Sequence, residues 1–305
     1  MTTAPAMDTG QSARTEYSAT EAKHRASRLG AWWTLYWLTL RQHLHGKRWM
    51  AVALAFILPA GLAILIRSAN PDVPIRFVEF GLMWVLIPQA LLPLVSLLYA
   101  SGIVQDEQEE QTITYLLTRP TPKWMIYVIK LAATWTTTVV LMITLTALTS
   151  VAIYAATDAD ISQATLRSSK IAAILSLAAI TYCSIFGLMS LITKRTLIAG
   201  VLYTAVVEGL LANLPLSVRW GTVLYHTRII AYRTLEFVAS WPGGRQEDPA
   251  SGAWSLNADT DPTLAEHPTL STSMLILIGT SFVCAALAAW LCSQREFHVK
   301  TPEKE

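Results

Sequence analysis

Apolar positions in this chain gather into blocks of about twenty residues, the length a helix needs to cross a bilayer. Six blocks are long enough to span: about 49–66, 80–100, 125–155, 170–192, 196–214 and 272–292. The third is too long for a perpendicular crossing, so a tilt or an end projecting into water is expected. Only Lys194, Arg195 and a few neighbours separate the fourth and fifth, which predicts a tight helical hairpin. Ahead of the first block, residues 28–46 place Leu29, Trp33, Tyr36, Leu40 and Leu44 at helical spacing. Trp32 and Trp37 flank that stripe, while Arg28, Arg41, Gln42, His43 and His45 fall mostly on other faces. Such a pattern predicts an amphipathic helix in the membrane interface, with the two histidines at headgroup level. Residues 1–27 are polar without an apolar h-region and read as a flexible cytoplasmic tail rather than a cleavable signal. Residues 293–305 form a second tail.

Composition agrees with the blocks. Of 305 residues, 53% are apolar and only 14% charged, too few charges for the surface of a soluble globule. A net charge of +2 gives no reason to expect nucleic acid as a partner. Basic residues divide fifteen against eight between the alternate sides of the spans. Counted by the positive-inside rule, this puts both termini in the cytoplasm, the chain in the cytoplasmic membrane, and the segment 215–271 outside. The first half of that outer segment is aromatic, apolar and dotted with Arg, and predicts helices on or dipping into the outer interface. The second half, from Pro242, is rich in Pro, Gly, Asp and Ser and reads as an irregular loop. The fold class expected is therefore all-α integral membrane: six transmembrane helices forming a single transmembrane domain over 28–292.

Catalytic chemistry finds no foothold. There is no G-x-x-x-x-G-K-[ST], no H-E-x-x-H and no G-x-S-x-G, so no catalytic, cofactor-binding or metal-ligating residue is assigned. Cys183, Cys284 and Cys292 lie in apolar stretches without ligand spacing. Glu208 is the main ionisable residue placed within a span. A carboxylate at mid-bilayer costs about 2.5–3.5 kcal/mol, so it needs a cavity or a partner. Two readings stand: a transport-path residue, or a structural one satisfied by Arg219 or interfacial water. The seven threonines of the third span are spread around the helix and are read as bonding back to their own backbone. Small residues recur at helical spacing in the fourth span (Ala172, Ser176, Ala179, Cys183, Gly187, Ser190) and the sixth (Thr280, Cys284, Ala288, Cys292). They permit close helix approach, within the chain more readily than between chains. Pro59, Pro88 and Pro93 mark kinks.

Between the second and third spans lies IVQDEQEEQTITYLLTRPTPKWMIYVIK. Asp106, Glu107, Glu109 and Glu110 place negative charge just inside the membrane, where basic residues are the rule. Ile113, Leu116 and Leu117 offer a short apolar face, and Arg119, Pro120 and Lys123 belong to the turn into the next span. A solvated acidic loop accounts for this composition as well as a docking surface does. The order of residues resembles the cytoplasmic segment of type-2 ABC transporter permeases, through Glu109, Glu110, Thr112, Leu116, Leu117, Arg119, Pro120, Lys123 and Lys130. Gln111 departs from the family's usual Gly and makes the backbone there less permissive.

The resemblance implies that residues 101–124 are a coupling segment docked on a separate ABC ATPase subunit, which carries ATP and Mg. It implies a permease without enzymatic activity of its own, moving a substrate by export. It further implies a second permease copy, as a homodimer or paired with a related permease. The competing expectation is a membrane anchor or signalling protein that uses the same fold without transport.

Overall fold

The computed structural model describes residues 30–44, 48–103, 122–155, 160–214, 217–254 and 267–294. Most of the coupling segment, residues 104–121, lies outside them. Nine helices and one two-stranded hairpin are seen among the described residues, with a short 3-10 turn at Ser217–Gly221. They are α1 (30–44), α2 (Arg48–Ala69), α3 (Ile75–Ala100), α4 (Lys123–Tyr154), α5 (Ile161–Ile192), α6 (Thr196–Asn213), α7 (Val223–Thr234), β1 (Ala239–Ser240), β2 (Gln246–Glu247), α8 (Pro249–Trp254) and α9 (Leu270–Gln294). Six of them, α2 to α6 and α9, are long and apolar enough to cross a membrane.

α5 is the centre of the bundle. In its most apolar stretch 67% of residues are buried, against 17% for α2 and 22% for α6 and α9, which face outward. It packs on α4, α9, α3 and α7. The small-residue stripe makes this possible: Ala172, Ser176, Ala179, Cys183, Gly187 and Ser190 are all buried inside the chain. On α9 the stripe is split, with Ala288 and Cys292 buried and Thr280 and Cys284 half-buried. Ser281 of α9 donates to Thr181 of α5 at 3.1 Å, and Thr181 reaches the Leu277 carbonyl at 3.3 Å. Helices in lipid gain little from the hydrophobic effect, so close approach and such bonds hold them together.

The threonines of α4 behave as expected: Thr134, Thr136, Thr137, Thr138, Thr144, Thr146 and Thr149 each donate to the carbonyl four residues earlier, at 2.7–3.0 Å. The α5–α6 hairpin turns in Thr193–Arg195. Its close packing continues where Leu97 of α3 lies directly on Gly200 of α6, leaving no room for a Cβ.

Several expectations change. α3 begins at Ile75 rather than near 80, because Glu79 is buried and paired instead of marking a wet end. Its residues Phe80–Leu91 wind as a π-helix around Pro88, whose missing N–H interrupts the α ladder. Pro59, by contrast, is accommodated within the continuous α2. α5 starts at Ile161 rather than near 170, since Asp160 accepts a bond from the Ser162 amide at 3.0 Å and caps nine further residues. His43 is buried against the bundle: its ring meets Tyr99 edge-on at 5.1 Å and Thr137 at 3.2 Å. Along the anticipated α1 stripe Trp33 and Leu44 are exposed and Tyr36 and Leu40 half-buried, while Thr39 and His43 face the bundle.

From Pro242 to Trp254 the chain forms regular structure rather than an irregular loop. Gly243 and Gly244 take φ of +100° and +86°, which lets the chain reverse and pair Ala239 with Glu247 and Ser240 with Gln246. α8 follows, and Trp254 at its end sits 5.2 Å from Phe80 and 5.4 Å from Phe237. Trp84 joins this group at 5.9 Å from Phe237. The segment thus plugs into the bundle with a cluster of aromatic rings.

Candidate functional site

Asp106, Glu107, Glu109, Glu110, Thr112, Ile113, Leu116, Leu117, Arg119 and Pro120 lie outside the described residues. What the structure describes is the frame that holds the two ends of their segment. Ile103 is the last described residue on one side, and Lys123 opens α4 on the other. Lys130, two turns into α4 and 6% exposed, donates from Nζ to the Ile103 carbonyl at 3.4 Å. Tyr127, on the same face, packs over Gly187 of α5, where a Cβ would come within 2.7 Å of the tyrosine hydroxyl. Cys292, near the end of α9, reaches the Lys123 carbonyl at 3.6 Å. Both ends are thereby tied to α4, with α5 and α9 behind them.

Glu208 lies in the π-helical turns Thr204–Leu210 of α6 and is 1% exposed. Its carboxylate accepts from the Val223 amide at 3.1 Å, the Leu224 amide at 2.9 Å and the Tyr203 hydroxyl at 3.1 Å. Val223 and Leu224 open α7, so Glu208 caps that helix from across the chain and places negative charge at its positive end. Thr222 completes the cap by accepting from the Tyr225 amide at 3.3 Å. The partner expected from sequence, Arg219, instead lies 5.2 Å over the Tyr225 ring. This geometry supports the structural reading of Glu208 over the transport path.

The following residues of α7 are enclosed as far as Ala231. Arg228 donates to Asn213 at 2.9 Å and lies 5.7 Å over the Trp254 ring. Burial disfavours its charged form and pulls its pKa down to about 10. His226 Nε2 donates to the Trp220 carbonyl at 2.8 Å, and burial lowers its pKa below the usual value. Glu79, a residue not singled out from sequence, gathers Arg76, Arg167 and Tyr154 at the opposite end from the coupling frame. The one local sign of it was Arg76 three residues earlier; Arg167 is too distant along the chain for any pattern to link them.

A family model described as ABC-2 family transporter protein matches residues 44–210. The chain belongs to this family. The match runs from the end of α1 to the π-helical turns of α6, and so contains residues 101–124, their frame and Glu208. A comparison with curated proteins finds no match. As an ABC-2 permease the chain is a multi-pass membrane component of a transporter and not itself an enzyme. Membership implies an ABC ATPase as partner, which accounts for a chain without a P-loop.

Proposed function

We propose that this permease exports a substrate across the cytoplasmic membrane, driven by an ABC ATPase that docks on residues 101–124. The observation that carries the proposal is the frame: family membership brings an ATPase partner, and both ends of this one segment are bonded into the bundle through Lys130 and Lys123. Asp106, Glu107, Glu109 and Glu110 pair with basic residues of the ATPase and set register, while Ile113, Leu116 and Leu117 supply burial. ATP and Mg sit on the partner. Thr112, Arg119, Pro120 and Lys123 shape the turn that delivers the stroke to α4.

The segment, both termini and α1 lie on the cytoplasmic side, and 215–271 lies outside. The fifteen-to-eight division of basic residues supports that orientation. Exposed Trp124 in the first turn of α4 and Trp290 in the last turns of α9 are aromatic anchors at the membrane face that carries the segment. α1 lies along that face with Trp33 and Trp37 toward lipid. Two permease halves, a homodimer or a pair of related chains, enclose the path.

Reversing charge at the segment tests this reading. Glu109→Lys with Glu110→Lys is expected to abolish co-purification of the ATPase and ATP-dependent transport in membrane vesicles. Undiminished ATPase binding would remove the docking role.

A further inference from the structure

The outer ends of three spans meet at Glu79. Its carboxylate, 1% exposed, accepts from Arg167 Nε of α5 at 2.6 Å, from the hydroxyl of Tyr154, the last residue of α4, at 2.5 Å, and from Arg76 of α3 at 3.3 Å. Arg167 also donates from Nη2 to the Glu236 carbonyl at 2.7 Å, and its guanidinium lies 5.9 Å over the Phe237 ring. Residues 236 and 237 belong to the link between α7 and β1. One carboxylate and one guanidinium therefore join α3, α4, α5 and the outer segment.

Close packing and hydrogen bonds hold the helices together, and a buried ion pair adds little to stability over them. What a buried pair does supply is a single allowed relative position, because any sliding leaves a charge without its partners. The helices it joins are also distinctive. α3 and α4 are the two that emerge from the coupling segment. α3 is interrupted by twelve residues of π-helix, whereas α4 is an unbroken α-helix of 32 residues. The stiff route from the inner face to the outer one thus runs through α4, and Tyr154 returns it to α3 at Glu79. At the inner end the same two helices are tied by Lys130 and the Ile103 carbonyl.

We propose that Glu79 and Arg167 are positioning residues for transport: they make the outer segment move with α3 and α4 when the ATPase displaces the coupling segment. This inference rests on the coupling role proposed above. Glu79 and Arg167 contact neither the ATPase nor its nucleotide; they act through the Glu236–Phe237 link, which they hold against the spans.

The test uses the full permease in complex with its ATPase, in proteoliposomes. The three native cysteines are replaced by alanine, and a single cysteine is placed at the exposed Val238. The rate of modification by a membrane-impermeant maleimide is measured with and without ATP and vanadate. The otherwise unaltered complex is expected to show a nucleotide-dependent change in rate. Glu79→Gln and Tyr154→Phe are expected to lose that change while ATPase binding and ATP hydrolysis persist. Arg167→Lys keeps a charge opposite Glu79 but cannot also reach the Glu236 carbonyl as a fork, and it is expected to lose the change as well. It serves as the informative variant should either of the others fail to fold. A response that survives in the folded variants overturns this inference alone. No response in the unaltered complex also overturns this inference, while the coupling role falls only if Glu109→Lys with Glu110→Lys leaves ATPase binding undiminished.

Discussion

Replacing Glu208 with alanine gives the most direct view of how the outer segment is held. The substitution leaves the Val223 and Leu224 amides and the Tyr203 hydroxyl without their acceptor, in a region where α7 is buried from Val223 to Ala231. A buried donor stripped of its partner costs about 1–3 kcal/mol, so two amides and a hydroxyl together come to on the order of 3 kcal/mol once some relaxation is allowed. At about 1.4 kcal/mol per decade, that is roughly a 100-fold loss of protection for α7 amides that open locally. Glu208→Gln keeps one acceptor oxygen and is expected to lose less than about tenfold. Hydrogen–deuterium exchange on the chain in nanodiscs, followed in peptides covering Val223–Thr234, reads both variants. Unchanged exchange in Glu208→Ala would refute the capping role. Equal exchange in both variants would show that charge, not the acceptor oxygens, holds the helix.

Other residues make equally definite demands. Gly200→Val forces a side chain into Leu97 and is expected to cost about 1–3 kcal/mol, read as a lowered melting temperature that Leu97→Ala partly restores. Thr146→Val removes a hydroxyl together with the back-bond it makes to its own helix, and is expected to change stability by less than about 1 kcal/mol in the same assay. His226 is held neutral by burial, below its usual value of 6.5. Its contribution is therefore fully present above pH 6.5 and falls as pH drops through that value, because the unfolded chain binds the proton first. Exchange of α7 is expected to quicken between neutral and mildly acidic pH, and His226→Gln is expected to flatten that part of the profile.

Hydropathy along the chain was sufficient to locate six crossings, the tight α5–α6 turn and the close-packing stripe of α5, because each depends on residues within one helix. The threonines of α4 were legible for the same reason: a hydroxyl that bonds four residues back needs nothing from elsewhere. A coupling role for the residues from Asp106 to Pro120 rests on resemblance, since their composition alone fits a solvated loop equally well.

Tertiary structure alone decided the rest. Glu79 and Arg167 stand 88 positions apart, and Glu208 caps a helix that begins 15 residues later across an intervening turn. No periodicity connects such pairs, because a buried charge is satisfied by whatever donors packing brings near it. The early start of α3 follows from the same cause, whereas that of α5 comes from the local Asp160 cap. Polar residues that look like wet ends by hydropathy are carried into the bundle when a partner waits there. Sequence determined which stretches enter the membrane, through the cost of leaving apolar surface in water. Packing determined which polar groups could follow them, through the cost of leaving any of those groups unpaired.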